Sequence, residues 1–266
     1  MNSALINVMS AALIKAGKGL LRDFGEVDNL QISRKGTANF VTAADIRTEK
    51  MLQAELKKVR PDYGFLMEEG GEVEGKDKTH RWIIDPLDGT NNFIHAIPYF
   101  CISVGLEKTE NGKSEIIAGM IFDPIHNELF SAEKGKGAFL NNRKLSVTSR
   151  KTIEDSMLVS GSPRSHPKRD ANHFGLVHEL ADKGAILRYL GATALDLAYL
   201  AAGRIDSCWH YTIQPWDVAA GLLLVQEAGG TITEPDGAPA NAYSKALLGA
   251  NGHLHLPMQK LLSSAA

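Results

Sequence analysis

Hydrophobic positions near the amino end recur at helical spacing. Leu5, Val8, Met9, Ala12, Leu13 and Ala16 fall at i, i+3 and i+4 intervals, which predicts an amphipathic helix. The stretch Met1 to Ile14 is uncharged and superficially like a secretory leader, but it has no basic start and is interrupted by Asn2, Ser3, Asn7 and Ser10. Leu30 to Ser33 alternates as a short strand, and Lys35-Gly36-Thr37 opens a loop. Thr42, with Asp45 three residues on, predicts a helix start; Ile46, Met51, Leu52, Leu56 and Val59 follow, and Pro61 stops the run. Tyr63 to Met67 and Arg81 to Ile84 are apolar runs of strand length, and the polar stretch from Gly70 to Thr79 between them is expected to be a surface loop.

The middle of the chain predicts an antiparallel meander. Cys101 to Glu107 and Ile116 to Phe122 flank Glu110-Asn111-Gly112-Lys113, whose Asn-Gly pair is a hairpin signal. Glu128 to Ala132, a turn at Gly135 and Gly137, Ala138 to Leu140 and Lys144 to Val147 continue it. From about Ser156 short strands alternate with helices, the clearest being Ala194 to Ala202 and Val218 to Ala228, the latter closed by Gly229-Gly230. The expected fold is therefore an α+β half, 1–150, followed by an α/β half, 151–266, with two sheets and helices packed between and around them.

Composition narrows the function. The 266 residues hold 29 Lys+Arg against 31 Asp+Glu, and no basic block offers a phosphate-tracking stripe, so nucleic-acid coating is not expected. The longest other uncharged run, Asn91 to Leu106, is broken by Pro98 and too short for a membrane span. Cys101 and Cys208 supply neither a disulfide framework nor a zinc site, and are expected as reduced core residues of a cytoplasmic protein. Metalloprotease, esterase and P-loop patterns are absent or fail at a required position.

The informative segment is Asp85-Pro86-Leu87-Asp88-Gly89-Thr90. An apolar strand delivers Asp85 to its end, Pro86 presets a turn that brings Asp88 to the same point, and Thr90 with Asn91 starts a helix whose amides suit an anion. Adjacent carboxylates repel unless a cation sits between them, and oxygen donors of this kind suit magnesium. A strand-to-helix turn with capping aspartates would carry the same residues. Glu68, at the end of the Tyr63 run, and Asp217, in the first turn of the Val218 helix, are further acidic candidates.

Trp82-Ile83-Ile84-Asp85-Pro86-Leu87-Asp88-Gly89-Thr90-Asn91-Asn92-Phe93, with Trp216-Asp217-Val218-Ala219-Ala220-Gly221 and Glu227-Ala228-Gly229-Gly230 downstream, resembles the inositol monophosphatase family. The resemblance implies a layered αβαβα sandwich, magnesium dependence with two or three ions per site, lithium sensitivity and a homodimer. It implies that Glu68, Asp85, the Leu87 carbonyl, Asp88 and Asp217 ligate metal, and that Gly89 and Thr90 hold phosphate. It further implies that Asp45 pairs with Thr90 to position the attacking water, that Lys35 lies in a loop closing over the site, and that Gly191, Ala192 and Thr193 contact the sugar-like part of the substrate. The implied reaction is hydrolysis of inositol monophosphate to inositol and phosphate.

One position departs from the pattern. Seven residues before Asp217, animal-type members carry a Glu that binds substrate hydroxyls, and here His210 stands there. Imidazole offers one donor and one acceptor where a carboxylate accepts two or more protons. The substrate is therefore less fixed than the chemistry: a related sugar-phosphate or histidinol-phosphate phosphatase, and a non-catalytic partner-binding member of the family, are the alternatives.

Overall fold

The computed structural model describes residues 3–26, 32–35, 39–161 and 167–264. Ser3 caps α1 (Ala4–Phe24) by accepting the Ile6 amide at 3.2 Å. The helix continues well past Ile14 because its apolar face continues: Ile6, Met9, Leu13, Ala16 and Leu20 are all buried. Among the described residues it is the one helix long and apolar enough to cross a membrane, yet that face is packed against α2 (Ala43–Val59) and the first large sheet. Between these helices β1 (Ile32–Lys35) and β2 (Asn39–Thr42) form an antiparallel pair in which Lys35 ends β1, opposite Asn39. Lys35 thus lies in a strand, not a loop; Leu30, Gln31, Gly36 and Thr37 lie outside the described residues.

The first large sheet is built from β3 (Gly64–Met67), β4 (Gly71–Val73), β5 (His80–Asp88), β6 (Cys101–Glu110), β7 (Lys113–Asp123), β8 (Glu128–Glu133), β9 (Gly137–Leu140) and β10 (Arg143–Lys144), in the order β10-β9-β8-β7-β6-β5-β3-β4. Only β3 and β5 run parallel; the other pairings are antiparallel. The Asn111-Gly112 hairpin has both residues at positive φ, as the sequence signal requires. Two local expectations are corrected. The polar stretch after Gly70 contains β4, an exposed edge strand held by backbone pairing with β3 and therefore without an apolar pattern. The Lys144 strand ends at once: Leu145 still donates to Ala138, but Val147 donates to the Ala228 carbonyl, and the chain leaves the sheet.

The second sheet takes β11 (Met157–Ser160), β12 (Ile186–Arg188), β13 (Ser207–Tyr211), β14 (Thr231–Thr233) and β15 (Ala246–Ala250), ordered β12-β11-β13-β15-β14. Helices α4 (Pro167–Asp182) and α7 (His255–Ser264) cover its outer face, where Leu176, Leu180, Met258 and Leu262 pack on Leu158, Trp209 and Leu248. Between the sheets lie α5 (Thr193–Ala201) and α6 (Pro215–Glu227), in a core that mixes Ile83, Cys101 and Ile121 with Leu195, Leu223 and Leu247. The layers are thus α1/α2, sheet, α5/α6, sheet, α4/α7: the αβαβα sandwich. Helix α6 lies unusually close to the first sheet. A Cβ on Gly119 would stand 2.8 Å from the Ala220 Cα, and one on Gly105 would stand 2.9 Å from the Ala219 Cβ. That contact carries the amino end of α6 to the ends of the central strands.

Candidate active site

Asp85 and Asp88 are three residues apart, so in a regular strand they would point to opposite faces. The register shows how this is avoided: Asp85 faces Ser103 and Asp88 faces Cys101, so three steps on β5 match two on β6. One extra residue is absorbed as a bulge at Pro86-Leu87, where proline has no amide to lose from the ladder. The expected turn is therefore a bulged strand with the same result. Leu87 N–H donates to Asp85 Oδ1 at 3.0 Å, which fixes the first carboxylate. Gly89 follows at φ +92°, a conformation glycine takes without strain, and a Cβ there would stand 2.9 Å from the Tyr99 carbonyl. The short helix α3 (Thr90–Ile94) then begins.

Other elements bring the remaining carboxylates. Parallel pairing of β3 with β5 places Glu68 just beyond the strand end, its amide donating to the Ile84 carbonyl at 3.3 Å. The next residue is tethered by Glu49 of α2, whose Oε2 accepts the Glu69 amide at 2.8 Å. Asp45 lies one turn before Glu49 and is 1% exposed. Asp217 is the third residue of α6 and closes a capping box: its Oδ2 accepts the Gln214 amide at 2.8 Å.

The charges of these groups act on one another. Burial pushes Glu68 up to about 8, helped by the negative charges of Asp217 and Glu69. Asp85 rises well above the carboxylate range through burial and then through Glu68, Asp88, Asp217 and Asp45. Asp88 rises to about 7 through burial and Asp217, against the pull of the Ala194, Leu195 and Thr193 amides at the start of α5. The Ala194 N–H meets Asp88 Oδ2 at 2.6 Å. Among the described residues no Lys or Arg forms a salt bridge with Glu68, Asp85 or Asp88. Also among them, no three His, Cys, Asp or Glu side chains stand in an arrangement that could hold a metal ion. The donor set, oxygen only and crowded, has the chemistry that suits hard divalent cations.

The other expected site residues gather less uniformly. Thr90 Oγ1 donates to the Leu87 carbonyl at 2.9 Å, so its single proton goes there and not to Asp45. Ala192, at the amino cap of α5, borders Gly89, where a Cβ would stand 3.2 Å from that of Ala192, and Gly191, at φ +89°, lies against Asn92, whose Nδ2 a Cβ there would meet at 3.1 Å. Thr193 opens α5 and is half-buried. His210, on β13, is 2% exposed, and burial pushes its imidazole down to about 4, so it is neutral near pH 7. Cys101 and Cys208 are free and buried, with thiols raised well above their ordinary range, first by burial. Glu49, Tyr99 and Asp196 were not legible as site residues, and Asn92 stood in the motif without a role. Its Nδ2 donates to both Tyr99 O and Leu190 O, each at 2.8 Å.

A family model described as the inositol monophosphatase family matches residues 1–265. A relative named inositol-1-monophosphatase from Rhizobium meliloti is 45% identical over 260 residues, covering 98% of this chain and 96% of the relative. A relative named Nus factor SuhB from Xylella fastidiosa is 42% identical over 241 residues, covering 90% and 85%. The crystal structure of the extragenic suppressor protein SuhB from Bartonella henselae superposes with a TM-score of 0.94 at 44% identity, covering 99% of this chain and all of the other.

Proposed function

The chain belongs to the inositol monophosphatase family, and from that premise we propose that it is a magnesium-dependent phosphomonoesterase that hydrolyses inositol monophosphate. The observation that carries the proposal is the convergence of Glu68, Asp85, Asp88 and Asp217 from three separate elements, their negative charges helping to raise the proton affinity of Glu68, Asp85 and Asp88. These side chains, with the Leu87 carbonyl, would hold the ions. Bound there, divalent magnesium would supply a water of lowered pKa and neutralise charge on the phosphate.

The remaining work falls to the chain itself. The amides of Gly89 and Thr90, at the opening of α3, donate to the phosphate oxygens. Asp45, buried at the start of α2, orients the attacking water together with the Thr90 hydroxyl, which first turns away from Leu87. Asp88 is kept in place by the α5 amides while charge develops on the phosphoryl group. Gly191, Ala192 and Thr193 border the place of the polyol ring.

Phosphate release from a panel tests this reading: inositol 1-phosphate, histidinol phosphate, fructose 1,6-bisphosphate and 3′-phosphoadenosine 5′-phosphate, each with magnesium or a chelator. Inositol 1-phosphate is expected to exceed the others by about tenfold in kcat/KM, with activity lost in chelator. A preference for histidinol phosphate or another sugar phosphate would move the substrate and keep the chemistry. No release from any of them would overturn it. The SuhB-named relatives favour a second reading, in which the same scaffold also binds a macromolecular partner.

A further inference from the structure

Helix α5 begins under an unusual load. Its first amides point at a carboxylate, and the Ala194 N–H meets Asp88 Oδ2 at 2.6 Å. Any shift of this turn moves Asp88. In the same turn Asp196 is 1% exposed, and Oδ1 accepts the Tyr99 hydroxyl at 2.7 Å across 97 residues of chain. On its other side His210 Nε2 faces Asp196 Oδ2 at 3.5 Å, while His210 Nδ1 lies 3.4 Å from Thr193 Oγ1. His210 therefore sits between two side chains one turn apart on α5, and a Cβ on Gly161 would approach its Nδ1 to 2.8 Å. Tyr99 belongs to the segment after α3, and its carbonyl takes Asn92 Nδ2, which also holds Leu190 just before the α5 cap.

We propose that Asp196 is a positioning residue of the active site: gripped by Tyr99 and walled by His210, it fixes the first turn of α5 and through it Asp88. The polar groups of this array do not touch the reacting atoms; they set where the Thr193, Ala194 and Leu195 amides point. His210 then serves as a neutral strut between the second sheet and α5. A hydroxyl-to-carboxyl bond is a good device here because it is directional and its acceptor, Asp196, is buried. The inference rests on the phosphatase reading for its kinetic consequence, but not for its structural one.

Two measurements on the full chain test it. Tyr99→Phe removes one hydroxyl and keeps the ring that stacks edge-on against Tyr199 at 5.5 Å. Amide hydrogen exchange at Ala194 and Leu195 is expected to accelerate by about tenfold while the centre of α5 stays protected. With inositol 1-phosphate, kcat is expected to fall by about tenfold or more because Asp88 is displaced, and KM is expected to rise with it because Thr193 lies in the same turn. Asp196→Asn keeps an acceptor oxygen for Tyr99 and is expected to retain most activity, whereas Asp196→Leu is expected to match Tyr99→Phe. Unchanged exchange in Tyr99→Phe would overturn the proposal whatever the activity. So would equal losses in Asp196→Asn and Asp196→Leu, or exchange accelerated evenly along α5. A native protein inactive on every phosphate ester would remove the phosphatase reading and leave the exchange result to decide this one.

Discussion

Asp88 is held from several directions at once. A bulge turns it to the side of Asp85, three α5 amides hold its charge, and the Cys101 thiol lies 3.8 Å from Oδ2. Asp88→Asn keeps the shape and an oxygen for the Ala194 amide but removes the charge. Turnover is expected to fall by about a thousandfold or more. The metal-free variant is expected to melt higher than the native protein, because one repelling carboxylate is gone. Calorimetry and phosphate release check the two halves, and a fully active, folded variant would remove Asp88 from the reaction. At this scale the acidic residues were legible in the sequence because each stands at the end of an apolar run or the start of a helix. Tyr99 and Asp196 were not: their bond joins positions 97 apart, and neither neighbourhood marks it. His210 was legible as a departure, but its burial was not.

At the scale of elements, close approach of α6 to the first sheet sets the site. Gly119 has no room for a side chain against the backbone of Ala220, and α6 can yield only by moving Asp217. Gly119→Ala is expected to lower stability by about 1–3 kcal/mol through overpacking, and to lower turnover more than a surface substitution of equal cost. Chemical denaturation and kinetics compare the two; a stability loss with native turnover would uncouple α6 from the site. Both α5 and α6 were visible in the sequence because their apolar residues are continuous, as helices buried between two sheets require. The exposed edge strand β4 was not, since all three of its residues are exposed and it pairs with β3 through the backbone. Nor were α4 and α7 singled out: each buries only a narrow stripe, Leu176 and Leu180 on one, Met258 and Leu262 on the other. The Asp85–Asp88 bulge was read as a turn because Pro86 suits both.

At the scale of the whole molecule, the layered fold confines negative charge that it does not neutralise. Glu68 titrates at about 8 and Asp88 at about 7, against ordinary values of 4.5 and 3.8, so the metal-free folded state binds protons that the unfolded chain has released. The sign follows: their contribution to stability is fully present below the ordinary values and is lost as pH rises through about 7 and then about 8. In chelator the melting temperature is expected to fall between about pH 4 and pH 8 and to level off above that, and magnesium is expected to restore more at the higher pH, where it displaces fewer protons. A flat profile in chelator would mean the carboxylates do not share one site.

The most direct measurement is the position of manganese, by anomalous scattering, in crystals grown with that ion. The expected result is a peak bounded by the Glu68, Asp85 and Asp88 carboxylates, with oxygen contacts of about 2.0–2.2 Å, and a further one reaching Asp217. Manganese found elsewhere on the protein, with the carboxylates between β3, β5 and α6 left bare, would contradict it.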